Sequence, residues 1–296
     1  METIRSLVDG LYYPADPGEL RELLSRLLEE AVADGGSGAP GMPGISGGPE
    51  APDGTPRGVL VPHGGYDFTG SVMAAAYRRI RHLSPDRILI LAPLHRDSRE
   101  GICLPPGEAF QIPLGTVPVD RSLRDSLSER RDFYREEFPF LEEPSVEAQL
   151  PFLHTLFPEV PVLPLFLSGS RAPLRKSLAS ALSEISGPGT LTVVTSNVTA
   201  WLPWRTARDQ AEEFRRQIED TETPFHPGRL LNSLKPGLPR PCGLACLAAW
   251  WQAAEPLREP RMSLCAWGPD EPLPEETGEA GDTGEKRAWY GSFLLH

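Results

Sequence analysis

Three side chains of this 296-residue chain carry types and surroundings suited to chemistry: His63, His95 and Cys242. His63 stands directly behind Val59-Leu60-Val61-Pro62, and His95 directly behind Ile88-Leu89-Ile90-Leu91-Ala92-Pro93-Leu94. Cys242 lies between Pro241 and Gly243, where an apolar helix begins, so its sulfur meets the positive end of a helix dipole, which lowers a thiol pKa. Two neutral imidazoles and one thiolate offer nitrogens and a sulfur suited to zinc, iron or copper, with a position left open for water or substrate. The plainer alternatives are a histidine satisfied by local backbone and a cysteine serving as a small buried hydrophobe. Asn197 follows the apolar run 191–196 and could either line the pocket or make an Asx-turn. Tyr12 and Tyr66 are expected at the pocket border. Cys103, Cys246 and Cys265 read as buried apolar residues, and His82, His154, His226 and His296 as structural or surface groups.

The elements that must position these groups follow from periodicity. Two branched apolar runs flank a stretch opened by Gly70-Ser71 in which Val72, Met73, Ala76, Tyr77 and Ile80 recur at helical spacing, giving strand, helix, strand. Such a crossover makes the strands parallel and sends both histidines out at one sheet edge, the carboxyl edge, where ligands bind in open α/β sheets. Further buried-strand runs fall at 162–167 and 191–195, and a closing strand at 289–295. Helices are expected after Asp16-Pro17, with Leu20, Leu23, Leu24, Leu27 and Leu28 as the stripe, and over 207–218 and 242–254. The expected fold is α/β: a single domain, 1–296, with a central mainly parallel or mixed sheet and helices on both faces. Residues 35–57, rich in Gly and Pro, are expected to form a mobile loop, and 268–287 an acidic loop.

Composition sets the outer limits. No run reaches the roughly 18 apolar residues of a membrane span and no signal-peptide core follows Met1, so the expected location is the cytoplasm, away from membranes. Four scattered cysteines without CxxC spacing indicate neither a disulfide framework nor a zinc ribbon. The formal charge is −12. Seven acids between Asp270 and Glu285 carry much of it, and without them about −5 remains, an ordinary surface. No basic stripe is present to neutralise phosphates, so nucleic acid is not an expected partner.

The motifs together resemble the Memo family, also labelled AmmeMemoRadiSam system protein B. Asp9-Gly10-Leu11-Tyr12-Tyr13-Pro14 is similar to the family's N-terminal segment, Pro62-His63-Gly64-Gly65-Tyr66 to PHAGY, and Ile90-Leu91-Ala92-Pro93-Leu94-His95 to LGPSH. Pro113-Leu114-Gly115 resembles TPLG, and Ser145 to Phe152 resembles HSIExQLPF. Cys242-Gly243 and the segment from Gly281 to Tyr290 complete the order. The resemblance implies a fold similar to class III extradiol dioxygenases, which use non-heme iron. It also implies a His/His/Cys site at His63, His95 and Cys242, as metal-ligating and catalytic residues. As the family name indicates, it further implies a functional association with AMMECR-like and radical SAM proteins. Animal relatives are linked to phosphotyrosine-peptide recognition.

Departures from the family pattern qualify the activity. Asn197 replaces a carboxylate, Ala200 and Pro144 replace histidines, and Leu244 and Ala245 replace polar residues. Fewer polar groups remain to orient ligands, so weakened metal binding and no extradiol chemistry are expected. Three readings follow. The first is a metal-dependent oxidoreductase of unknown substrate, with a divalent iron, copper or zinc ion. The second is a non-catalytic adaptor holding a peptide or small anionic ligand. The third is a cysteine-based catalyst with Cys242 as nucleophile and a histidine as base.

Overall fold

The computed structural model describes residues 2–33, 46–47, 55–96, 99–219, 225–233, 240–256, 260–270 and 285–296. The expected loop at 35–57 lies mostly outside these residues; Ser46–Gly47 forms a short strand and 55–57 run into the next one. Of the acidic segment, 271–284 is likewise outside. Its flanks belong to the strands Met262–Pro269 and Lys286–Arg287.

A nine-stranded mixed sheet forms the centre, in the order Ser46–Gly47, Met262–Pro269, Trp289–Leu295, Gly58–Val61, Thr190–Thr195, Arg87–Pro93, Val162–Ser168, Gly101–Leu104 and Phe133–Arg135. The four middle strands, from Gly58–Val61 to Val162–Ser168, are parallel. They read as unbroken apolar runs because both faces are covered. Antiparallel pairing begins on either side, with Trp289–Leu295 on Gly58–Val61 and Gly101–Leu104 on Val162–Ser168. Alternate side chains of one strand show the two layers: Tyr290 packs with Val72 and Ala75 of helix Tyr66–Ile80, whereas Phe293 meets Phe214 of helix Trp204–Glu219.

The strands carrying His63 and His95 are parallel, with Thr190–Thr195 inserted between them. That insertion places Asn197 between the two histidines at the carboxyl edge. Helix Pro17–Ala33 begins where Asp16 accepts hydrogen bonds from the Gly18 and Glu19 amides (2.8 and 2.9 Å). The crossover helix starts at Tyr66, four residues before the expected Gly70. Gly70 instead marks a close helix crossing, since a Cβ there would lie 2.9 Å from Leu27 Cδ1. Helix Leu244–Ala254 starts just after Cys242, with Gly243 as its N-cap.

Candidate metal centre

One ligand atom from each of His63, His95 and Cys242 falls within 4.8 Å of the other two. Three separate chain segments meet there: the ends of two parallel strands, and the turn entering helix Leu244–Ala254. Gly243 allows the third to come close. A Cβ at that position would sit 2.1 Å from the Thr195 carbonyl oxygen, so a side chain would push the Cys242 turn off the end of strand Thr190–Thr195. The Gly243 amide also donates to Ser196 Oγ (2.9 Å).

Each candidate ligand is held by a second group. His63 Nδ1 lies 2.6 Å from Thr195 Oγ1, leaving Nε2 turned to Cys242 Sγ at 3.4 Å. His95 Nδ1 contacts Glu143 Oε2 at 2.7 Å, and the His95 amide donates to the same oxygen (3.1 Å). The Ser145 amide donates to the other Glu143 oxygen (3.1 Å). Cys242 Sγ accepts from the Asn197 amide at 3.1 Å. A histidine that gives its Nδ1–H to an oxygen acceptor presents Nε2 as a free lone pair, the arrangement typical of ligating imidazoles.

These contacts set the electrostatics. Burial alone would raise the Cys242 thiol, but attraction to His63, then hydrogen bonds from His63 and His95, pull it from 9.0 down to about 5. The hydrogen bond to Cys242, followed by that to Glu143, raises His95 to about 10 against the effect of burial. Burial would likewise raise the Glu143 carboxyl, yet the bond to His95 and the charges of both histidines hold it below its usual value. Anionic and cationic groups here stabilise one another in a partly desolvated site.

Asn197 is closely engaged with His63: its Oδ1 accepts from the His63 amide (2.9 Å) and its Nδ2 donates to the His63 carbonyl (3.2 Å). Both ends of the amide are spent on positioning that histidine. Tyr66 is buried, donates its hydroxyl to the Ala148 carbonyl (2.8 Å) and packs on Tyr13 and Phe152, so it braces the core and offers the site no free polar group. Tyr12 is half-buried; burial and then the charge of Glu143 raise its hydroxyl pKa. Cys103, Cys246 and Cys265 are buried in the core and in no disulfide, and burial raises the last two. His226 pairs with Glu255 and His296 with Ser263, away from the centre.

The sequence reading missed Glu143, Thr195 and Gln149. Glu143 directly precedes Pro144, one of the departures that suggested a depleted shell, and it brings a buried carboxylate to His95. Gln149, fully buried, donates to the Pro62 carbonyl (3.1 Å) and to Thr195 Oγ1 (3.3 Å), and accepts from the Tyr77 hydroxyl (2.8 Å). Glu147 ties in the N-terminal segment, accepting from the Leu7 and Val8 amides and the Tyr13 hydroxyl (2.6, 3.1 and 2.5 Å). The signal was available, since Glu147 and Gln149 fall in an acid-and-amide motif whose residues are buried rather than solvated.

A mixed α/β sheet with two histidines and a cysteine converging at its carboxyl edge is the architecture of a candidate metal-binding protein. The chain belongs to the Memo-like protein family, which it matches over residues 5–270. It is 28% identical over 222 residues to a MEMO1 family protein of Aquifex aeolicus, covering 73% of this chain and 74% of that protein. It is 30% identical over 204 residues to a MEMO1 family protein of Thermotoga maritima, covering 67% and 71%. Among solved structures, an uncharacterized protein, JW3007, of Escherichia coli shares the fold at a TM-score of 0.50 and 12% identity, covering 80% of this chain and 99% of that one. Among the described residues no helix is long and apolar enough to cross a membrane.

Proposed function

We propose that the chain is a metal-dependent oxidoreductase of the Memo family in which His63, His95 and Cys242 hold one divalent ion. The observation that carries this reading is the donor geometry. Two ligands on a tetrahedral ion with ordinary metal–nitrogen and metal–sulfur bonds stand about 3.6 Å apart; His63 Nε2 lies 3.4 Å from Cys242 Sγ, and the His95 donor lies within 4.8 Å of both. The donor set suits zinc, copper or iron, and a held ion would supply Lewis acidity or, as iron or copper, one-electron redox chemistry. The chain's own groups have defined work. Thr195 and Glu143 fix which nitrogen of each ring faces the centre, Asn197 fixes the His63 backbone, and Glu143 is placed to hold a proton on His95 Nδ1.

An extradiol mechanism has little support in this site. Asn197 has no carboxylate to take a diol proton, and both of its amide atoms are already engaged. Cobalt(II) titration of protein purified without a chelating tag tests the ligand set. A near-ultraviolet thiolate-to-metal charge-transfer band that saturates at one equivalent and vanishes in Cys242→Ser supports it; no band, or a band unchanged by the substitution, removes it. Dioxygen uptake by the iron- or copper-loaded protein with a reductant, above that of Cys242→Ser, tests the redox assignment.

A second reading, an adaptor that binds a peptide, is favoured by exposed apolar residues on the segments that carry the site. Leu11 is 75% exposed beside Tyr12, Phe68 is 40% exposed just after the His63 turn, and Trp201 is 61% exposed four residues beyond Asn197. Single exposed apolar side chains are ordinary, but several on the segments around one centre suit a docking face. Substituting Leu11 and Trp201 with Ser should leave metal loading intact and weaken partner or peptide binding. Associations with AMMECR-like and radical SAM proteins remain proposals of the same kind, tested by co-purification with and without those substitutions.

A further inference from the structure

At the amino ends of strands Gly58–Val61 and Thr190–Thr195, the sheet edge opposite the metal centre, lies a cavity of about 610 Å³. Ligand pockets commonly measure about 300–1,000 Å³. Its apolar wall comes from Pro188 and, on the last turn of helix Leu244–Ala254, from Ala253 and Ala254. Thr55, Ser186 and Thr190 add hydroxyls to its lining, and its remaining polar side chains are Arg57, Thr192 and Trp250.

Those three are notable for what they do not contact. The Arg57 guanidinium makes no side-chain hydrogen bond or ion pair among the described residues, although Arg57 is half-buried. Thr192 is 2% exposed and Trp250 4% exposed, yet the threonine hydroxyl and the indole N–H have no protein partner among the described residues. Neither atom is among the unpartnered atoms fully sealed from solvent, and both residues line this cavity. Buried donors without acceptors are uncommon because each gives up its hydration with no hydrogen bond in return. One cation and two neutral donors around an apolar hollow call for an acceptor-rich, negatively charged group on an apolar body.

We infer that this cavity is a second binding site, specific for a small amphiphilic anion: one carboxylate, sulfonate or phosphate on an aromatic or aliphatic frame. The anionic group is met by Arg57, Thr192 and Trp250, and the frame lies along Pro188, Ala253 and Ala254. The helix end at Ala254 places its partial negative charge nearby and opposes an anion, an effect weaker than the charge-assisted hydrogen bond that Arg57 supplies. The site is independent of the metal centre, although three residues of one strand, about 10 Å, join Thr192 to Thr195 beside His63.

Fluorescence titration of the full chain with anilinonaphthalenesulfonate, and in parallel with its uncharged parent N-phenylnaphthylamine, tests the inference. The sulfonate is expected to bind saturably at one site, Arg57→Gln to weaken it by about tenfold or more, and the uncharged parent to change by less than about twofold. Ala253→Phe, which fills the hollow, should abolish binding of both probes; if that variant does not fold by circular dichroism, the Arg57→Gln comparison decides alone. Equal sulfonate affinity in wild type and Arg57→Gln, the same loss for both probes, no saturable binding, or undiminished binding in a folded Ala253→Phe protein would each overturn it.

Discussion

In metal-free protein, Cys242 should exist as a thiolate at neutral pH. Its pKa is pulled from 9.0 to about 5, with attraction to His63 the largest of the effects that lower it. At pH 7 that leaves about 99% of the sulfur ionised, against about 3% for an ordinary thiol with a pKa near 8.5. The absolute alkylation rate is a poor readout, because intrinsic nucleophilicity falls with pKa and offsets much of that ratio. The pH profile is decisive. Chelator-treated protein is reacted briefly with iodoacetamide from pH 4 to pH 10, and the peptide carrying Cys242 is quantified by mass spectrometry. Cys103, Cys246 and Cys265 are buried and should remain unmodified on this timescale. The rate at Cys242 should rise to a plateau with a midpoint near pH 5, and His63→Ala should move the midpoint upward. A rate climbing about tenfold per pH unit between 6 and 8, with its inflection near that of a free thiol, would refute the electrostatic reasoning.

The same shifts predict how stability depends on pH. The Cys242 contribution is present above its unfolded value of 9.0 and is lost as pH falls through about 5, whereas that of His95 is present below 6.5 and is lost as pH rises through about 10. Stability of the metal-free protein should therefore rise between pH 5 and 6.5, stay level to pH 9 and decline toward 10, and Cys242→Ser should flatten the rise on the acid side in a urea-melt series. Replacing Glu143 with Gln removes the charge behind His95 and should weaken metal binding by about tenfold or more in a chelator competition; unchanged affinity would show that the carboxylate does not support the ligand. Gly243→Ala forces a Cβ against the Thr195 carbonyl at 2.1 Å, and should lower stability by about 1–3 kcal/mol. Gly70→Ala, whose Cβ would meet the far end of Leu27 at 2.9 Å and Tyr66 Cβ at 3.3 Å but no backbone, should cost less, and calorimetry orders the two.

Much of the frame was legible because its signals are local. Apolar runs ending in His63 and His95 marked parallel strands leaving at one edge, and the Asp16 cap marked the first helix. The insertion of Thr190–Thr195 between the two histidine strands was not legible, since strand order depends on which layers pack together and not on any one segment. At the site the three donors could be read from residue type and position. Their supports could not: Glu143 reaches His95 from 48 residues away, Asn197 reaches His63 from 134, and Gln149 reaches Thr195 from 46. Asn197 looked like a carboxylate lost, but in the fold it is a backbone clamp. Gly70 was read as a helix start because the apolar stripe begins beside it at Val72, while its physical reason is the approach of Leu27.

The central claim is that His63, His95 and Cys242 bind one metal ion together. Elemental analysis of protein purified without a chelating tag, then incubated with iron, copper or zinc and desalted, tests it most directly. The account predicts close to one equivalent of a single metal in the wild-type chain and a loss of most of it in both His63→Ala and Cys242→Ser, with circular dichroism unchanged. A stoichiometry near zero for all three metals, or a full equivalent retained in both variants, would contradict it.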